Sequence, residues 1–290
     1  MTEKLFVDLH VHTHFSDGSY PPSEVVRYAQ QVGLGTIAIT DHDITDGIAA
    51  AITEGAKRGV EIIPGIELSA ELQNNADGEM HILGYFINWE DRYLQQKLKI
   101  FRQARRQRAN LILEKLKKLN IHLDEKHLLS QNDIGVIGRL HFAKQLISEK
   151  YVNNVAEAFH RYLGFGQPAY VPKIRLNPVE AIKMILRCGG IPVLAHPYYG
   201  DYSNKSLIRS LKKSGLAGIE VWHSKHPYVV SQRFHQLARE MNLLETGGSD
   251  CHGPIMNDEP LMGKIKIPYN IVAELKRYKF NLDRTNKNIL

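Results

Sequence analysis

Seven short apolar runs, spaced by helical patterns, constrain this chain more than any other feature. They fall at 6–12, 36–41, 61–66, 81–86, 191–195, 218–222 and 243–247. Each is nearly continuous in Val, Ile, Leu and Ala, as expected of strands buried on both faces. Amphipathic helices are expected between them. One spans 21–32, opening with Pro-Pro-Ser-Glu and stopped by Gly33; another spans 46–58, with Thr45 as its N-cap and Gly59 as its stop. Others run from Asn177-Pro178 to Gly189-Gly190, over 205–213 and over 231–241. Such alternation implies a parallel sheet covered by helices, closed as a barrel or open and doubly wound.

The alternation breaks off between residues 91 and 172, a stretch that reads as helical and inserted, dividing the sheet domain into 1–90 and 173–290. Its long helix carries Leu94, Leu98, Phe101, Ala109, Ile112, Leu116 and Leu119 at three- and four-residue steps, a stripe that needs a partner to cover it. Lys97, Lys99, Arg102, Arg105, Arg106, Arg108, Lys115, Lys117 and Lys118 occupy the remaining faces, with Glu114 the lone acid among them. One charge-rich helix is most often a solvated face; beside a phosphate-handling site it becomes a track for a polyanion. The formal charge of +6 points the same way, towards anionic partners. The apolar run at 5–11 contains Asp8 and His10 and is too short and polar for a signal peptide or a membrane span. With only Cys188 and Cys251, no disulfide framework is implied and a cytoplasmic setting is expected.

Histidines and carboxylates gather at the strand ends. His10 and His12 end the first strand, Asp41 and His42 the second, His196 the fifth and His223 the sixth. Glu67 follows the third, and Asp250 and His252 follow the seventh. His81 alone opens its strand. In parallel α/β folds the carboxyl ends of the strands converge on one rim, so these residues are expected to meet. The alternation of side chains along a strand puts the His10 and His12 imidazoles on one face, where both can grip one ion. A mixed imidazole and carboxylate set without thiolates suits Mn, Fe or Zn at a catalytic site and speaks against a structural zinc. Several such ions can bind phosphate oxygens and activate a water between them.

Five pieces recur in a fixed order: Asp-Leu-His-Val-His-Thr-His-Phe-Ser-Asp-Gly from residue 8, Thr-Asp-His-Asp from 40, Pro-Gly-Ile-Glu from 64, Ala-His-Pro from 195 and Gly-Ser-Asp-Cys-His-Gly from 248. In these the chain closely resembles the polymerase and histidinol phosphatase (PHP) family of metal-dependent phosphoesterases. The resemblance covers residues 1 to about 90 and about 175 to 255. It implies an α/β fold, a distorted seven-stranded (β/α)7 barrel like a TIM barrel, with a cluster of up to three divalent ions. The chain is most similar to a branch of nucleotide phosphatases and 5′-to-3′ exoribonucleases with a helical insertion. That insertion carries a Gly-Arg-x-His element, here Gly138-Arg139-Leu140-His141, and a Tyr-Val-Pro return, here Tyr170-Val171-Pro172.

Carried over residue by residue, the resemblance implies a first ion on His10, His12, Glu67 and Asp250. Glu67 would bridge to a second, completed by His81 and His196, and Asp17, His42 and His252 would hold a third. The expected activity is hydrolysis of nucleotide 3′,5′-bisphosphates or short 5′-phosphorylated RNA by a metal-bridging hydroxide that Glu67 helps to hold, with manganese the expected metal. No membrane and no obligate protein partner are implied.

His223 belongs to none of these ligand groups, so it is expected to donate a hydrogen bond to substrate phosphate or a proton to the leaving group. Arg139 and Lys173 are candidates for gripping a second phosphate. Asp8 reads equally as a strand residue or as a carboxylate orienting a metal-bound imidazole. Cys251 is expected to point away from the ligands beside it. His14 is expected to be a loop residue, and His122, His127, His160, His226 and His235 to be structural. A histidinol-phosphate phosphatase would share the metal cluster, but the insertion and the basic charge speak against it. A binding module without catalysis would need gaps in a ligand set that here has none.

Overall fold

The computed structural model describes residues 6–71, 80–124, 128, 137–173, 176–198, 203–254 and 259–287, so His127 lies outside the described residues. Among these, eight strands form one sheet in the order β7-β6-β5-β4-β3-β2-β1-β8. They are β1 (Phe6–Val11), β2 (Leu34–Ile39), β3 (Glu61–Ala70), β4 (Met80–Tyr85), β5 (Ile191–Leu194), β6 (Gly218–His223), β7 (Leu244–Gly248) and the two-residue β8 (Ile267–Pro268). The last strand was not expected from the sequence. It pairs antiparallel with Phe6 and Val7. The sheet curls until its first and seventh strands meet: Val11 bridges Cys251, and His12 N–H donates to the Cys251 carbonyl at 2.9 Å. The barrel is therefore closed at the rim, which settles the choice between barrel and open sheet.

The sheet is not wholly parallel. β4 runs antiparallel to both β3 and β5, while the other members of the seven share one direction. A reversed strand presents its first residues where its neighbours present their last. His81, which opens β4, thus stands on the same rim as the strand-end ligands. β3 is also longer than expected, so Glu67 lies inside it.

Three apolar clusters organise the molecule. One contains Val7, Leu9, Ala38, Ile63, Leu83, Tyr85 and Val193 with Ile271, Val272 and Leu275 of the final helix; it fills the barrel and plugs its far end. A second packs the outer helices on the sheet. These helices are α1 (Pro22–Gln31), α2 (Ile48–Arg58), α6 (Pro178–Arg187), α7 (Lys205–Lys213) and α8 (Tyr228–Glu240). Asn177 caps α6 through the Val179 N–H, with Pro178 in the first turn and Glu180 reaching back, as the sequence suggests. α2 differs: it begins after Gly47, and the Thr45 hydroxyl accepts from Gln95 Nε2 instead of capping.

The third cluster lies within the middle stretch and includes Ile112, Leu116, Phe142, Leu146 and Leu163. Here α3 (Arg92–Lys118), α4 (Arg139–Ser148), α5 (Val155–Ala158) and a turn of π-helix (Phe159–Leu163) assemble. α3 serves two cores. Leu94 and Leu98 pack on the barrel layer, while Ala109, Ile112 and Leu116 pack in the third cluster and Leu119 stays exposed. The reading of its cations as solvated fails at two positions: Arg105 and Arg108 are each only 7% exposed. The final helix is α9 (Asn270–Lys287).

Candidate metal centre

Glu67 is the centre of the site. Its Oε2 lies 3.2 Å from His10 Nε2, 3.2 Å from His12 Nε2 and 3.0 Å from His42 Nδ1. Its Oε1 lies 2.7 Å from His81 Nδ1 and 3.1 Å from His196 Nε2. One carboxylate therefore faces two sets of imidazoles, each oxygen serving its own set. Asp250 Oδ1 adds contacts of 3.1 Å to His12 and 3.5 Å to His10. Asp17 sits beyond His42, with 3.1 Å from Oδ1 to His252 Nε2 and 3.7 Å from Oδ2 to His42 Nε2.

Potential ligand atoms within 4.8 Å of one another form four groups: His10–His12–Glu67–Asp250, His42–Glu67–His81, His12–Asp17–His42–His252, and the buried His10–Glu220–His223. His196 joins the second through the Glu67 contact and stands 3.2 Å from His81. All nine residues named as ligands from the sequence are thus brought to one rim. His42 could turn either nitrogen to an ion, since Nδ1 faces Glu67 and Nε2 faces Asp17.

A β-strand alternates its side chains, and two irregularities make this convergence possible. Val7 and Leu9 face the barrel interior, so strict alternation would turn His10 and His12 outward. The register of β1 against β2 shifts between Asp8 and Val11, and His10, within the shift, and His12, just past it, both point inward. β6 shifts likewise between Glu220 and Trp222, so that Glu220 and His223 both face His10 although three residues apart.

The buried carboxylates draw positive charge: against their own burial, which lowers both, His10 is raised well above its usual value by Glu220, Glu67 and Asp250, and His12 to about 10 by Asp250 and Glu67. Burial alone would raise Glu67, but His42, His81 and His10 hold its carboxyl well below the usual range. Asp17 and Asp250 are also held low against their burial, chiefly by His252 and by His10 respectively. Burial pushes His42 down to about 3, which leaves the lone pair of one ring nitrogen available. Several inward atoms, among them His10 Nε2, His12 Nε2, His42 Nδ1, Glu67 Oε2 and Asp17 Oδ1, are buried without a hydrogen bond. Buried polar atoms without partners are costly, and divalent ions on this oxygen and nitrogen set would satisfy them. The residues fit the ions that the sequence implies.

The residues flanking the ligands pin their loops. Asp41 accepts from Thr13 N at 2.7 Å, Thr13 Oγ1 at 2.7 Å and Ser16 Oγ at 2.6 Å, which fixes the turn carrying Asp17. Asp8 accepts from the backbone N–H groups of His10 and Ser249, so it ties β1 to β7 and orients no imidazole. Cys251 is buried and turned into the outer-layer cluster, away from the ligands beside it. His14 packs against Phe15 outside the ligand groups. His235 pairs with Glu245, and His122 and His160 lie at the surface. His226 is buried and packs its ring 5.1 Å from that of His223.

His223 is buried, with Nε2 3.4 Å from Asp250 Oδ2 and Nδ1 accepting from Lys225 N at 3.2 Å. Its ring faces a ligand. Lys225, not singled out from the sequence, lines the cavity of about 170 Å³ above the centre together with His42, Glu67, His81, His196, Asp250 and His252.

A neighbouring cavity of about 270 Å³ shares His42 and His81 with the first and is walled by Arg105, Arg108, Arg139 and Lys173. Arg105 and Lys173 both contact Asp43, which also accepts from Ser69 N and Oγ. Their charges hold the Asp43 carboxyl at about 2 despite its burial. Arg108 Nε donates to the Val171 carbonyl at 2.8 Å. Arg105 and Arg108 fill the gap between Phe101 and Ile112 in the three- and four-residue steps of the apolar stripe, so the periodicity of α3 places these two cations on its inward face.

The wider kinship agrees with this geometry. The PHP domain family matches residues 8–180. The chain is similar to the 5′-3′ exoribonuclease Rnm of Escherichia coli K12, 35% identical over 85% of either protein. It is also similar to the 3′,5′-nucleoside bisphosphate phosphatase of Chromobacterium violaceum, 32% identical over 86% of this chain and 87% of that one. A solved structure described as a metal-dependent phosphoesterase, from Bifidobacterium adolescentis, superposes with a TM-score of 0.83 at 27% identity, covering 93% of this chain and 94% of that one. A closed barrel with a reversed fourth strand, a rim of buried imidazoles around one carboxylate and these relatives lead to one conclusion: the chain belongs to the PHP family of metal-dependent phosphoesterases.

Proposed function

We propose that this enzyme hydrolyses phosphate esters of nucleotides: 3′,5′-bisphosphates to the 5′-monophosphate and phosphate, and short RNA carrying a 5′-phosphate. The observation that carries this reading is the shared wall between the two cavities. A substrate with two phosphates can place one against the imidazole rim and the other among Arg105, Arg108, Arg139 and Lys173. The names of the two sequence relatives support the same substrate class. A single-phosphate substrate such as histidinol phosphate would leave the second cavity without a purpose.

In this reading the stretch 91–172 is an inserted unit roofing the rim, and three divalent ions, manganese foremost, occupy the centre. His10, His12, Glu67 and Asp250 would hold one, Glu67, His81 and His196 a second, and Asp17, His42 and His252 a third. When bound, such ions polarise phosphoryl oxygens and lower the pKa of a coordinated water. The chain's own side chains do the rest. Glu67 sets the spacing between the first two sites. Lys225, in the cavity lining, would supply an ammonium to the charged oxygens of the phosphoryl group under attack. Arg139 and Lys173 fix the other phosphate. His223 supports Asp250 from beside the cavity, which it does not line, so its part is to hold Asp250 rather than to touch the phosphate. A cytoplasmic setting fits the two free cysteines; among the described residues no helix is long and apolar enough to cross a membrane.

The test is phosphate release from nucleoside 3′,5′-bisphosphates and mononucleotide release from 5′-phosphorylated trinucleotide RNA, with manganese loaded. Turnover of both or either, abolished by chelation and by a His10→Ala, His12→Ala variant, is the expected result. No turnover of either sinks the substrate claim.

A further inference from the structure

One fully buried carboxylate on the inner face of the barrel belongs to none of the three ligand sets. Glu220, in β6, is 0% exposed. Its Oε1 lies 3.0 Å from His10 Nδ1, and its Oε2 accepts the backbone N–H of His196 at 2.8 Å. Each oxygen thus reaches a ligand-bearing residue on a different strand. An ionised carboxylate only accepts hydrogen bonds, so His10 Nδ1 must carry the proton. That leaves the His10 Nε2 lone pair on the side of Glu67 Oε2 at 3.2 Å and Asp250 Oδ1 at 3.5 Å, the side where an ion would sit.

The second contact works on backbone. His196 has φ of 25°, a conformation that side-chain-bearing residues rarely adopt and that persists only when its surroundings impose it. The hydrogen bond to Glu220 helps impose it. This turn carries the His196 ring to within 3.1 Å of Glu67 Oε1. The register shift in β6 just after Glu220 brings its carboxylate and the His223 ring to the same side of the strand.

We propose that Glu220 is a positioning residue for two ions at once: it fixes the tautomer of His10 at the first site and the backbone of His196 at the second. A carboxylate behind a metal-bound imidazole orients the ring and raises its basicity. What is particular here is that one carboxylate serves both sites. The inference rests on His10 and His196 being ligands, and the experiment below separates the two claims.

The protein is stripped, reloaded at buffered free Mn²⁺, and its ions per chain counted by elemental analysis. Glu220→Gln is expected to bind Mn²⁺ about 10–100-fold more weakly. At a free concentration that just saturates the wild type, the variant should hold about one to two ions fewer, while the melting temperature of the stripped protein stays close to that of stripped wild type. Glu245→Gln, which removes the carboxylate beside His235 on the adjacent strand, should leave uptake unchanged. A long-range ¹H–¹⁵N spectrum of the Zn²⁺-loaded wild type should show His10 protonated at Nδ1. Wild-type uptake by Glu220→Gln, or equal loss in Glu245→Gln, overturns the role of Glu220 and leaves the ligand assignment standing. A His10 proton on Nε2 overturns it even if the variant fails to fold. A wild type that takes up no ion overturns both.

Discussion

Arg139 Cζ lies 5.3 Å from the centre of the Phe159 ring and 5.8 Å from that of Tyr170, so its guanidinium is held by aromatic faces in the cavity wall. Preorganised in this way, it should bind a second phosphate with little entropic cost. Loss of a charge-assisted hydrogen bond costs about 1.5–3 kcal/mol, so Arg139→Ala should raise KM for a bisphosphate roughly tenfold or more. Turnover of a simple aryl monophosphate should change little, a contrast that steady-state kinetics on the two substrates will measure. At the other edge of the barrel, burial and then the neighbouring Asp91 push the Cys188 thiol up to about 12. Burial also raises Cys251. A raised thiol pKa means little thiolate at pH 8, and only thiolate attacks disulfide reagents. Both cysteines should resist Ellman's reagent in the native protein at pH 8 and react promptly in guanidinium. At this scale most candidate ligands were legible because His10, His12, His42, His196, Asp250 and His252 stand at or just past strand ends, which topology forces together; Glu67 was placed past the end of a strand that in fact continues to Ala70. Glu220 was not legible. It sits mid-strand among apolar residues, and only the register shift that follows it brings it and His223 to one side.

Elements decide whether those side chains meet. Gly248, the last residue of β7, passes so close to β1 that a Cβ there would lie 2.3 Å from His10 Cβ and 2.4 Å from His10 N. Backbone cannot yield cheaply at that distance. Gly248→Ala should cost about 1–3 kcal/mol through overpacking and push His10 off its ion. Thermal melting and metal content should therefore fall together; a variant that melts lower yet keeps its full complement of ions would show that β1 adapts. The positions of seven strands were readable from their apolar runs, since burial on both faces leaves a plain signature. Strand direction leaves none. The reversal of β4 follows from its pairing with β3, and it alone explains why His81 opens a strand instead of closing one. The two-residue β8 is too short for any periodicity to mark it. Thr45 failed as a cap because Gln95, from a helix fifty residues later, claims its hydroxyl.

For the molecule as a whole, the reversal of β4 means that the chain leaves this strand heading away from the rim and must return before it can build over the site. α3 makes that journey, about 40 Å long at 1.5 Å per residue, and meets the rim at Arg105 through Asp43. The chain comes back within reach of the same point, because Arg108 bonds the Val171 carbonyl and Lys173 reaches Asp43 as well. Entry and exit thus share one doorway. Nearly all of the third apolar cluster lies between residues 109 and 171. Replacing 109–170 with a short Gly-Ser link should leave a barrel that still binds ions and still cleaves a simple aryl phosphate, but no longer prefers bisphosphates. Metal analysis and the ratio of kcat/KM for the two substrates will show whether this holds; loss of ion binding would mean that roof and floor fold as one. If the shortened chain keeps its ions, the stretch over the rim can be exchanged without disturbing the hearth beneath it. Substrate choice and bond cleavage are then separate inheritances, free to diverge at different speeds.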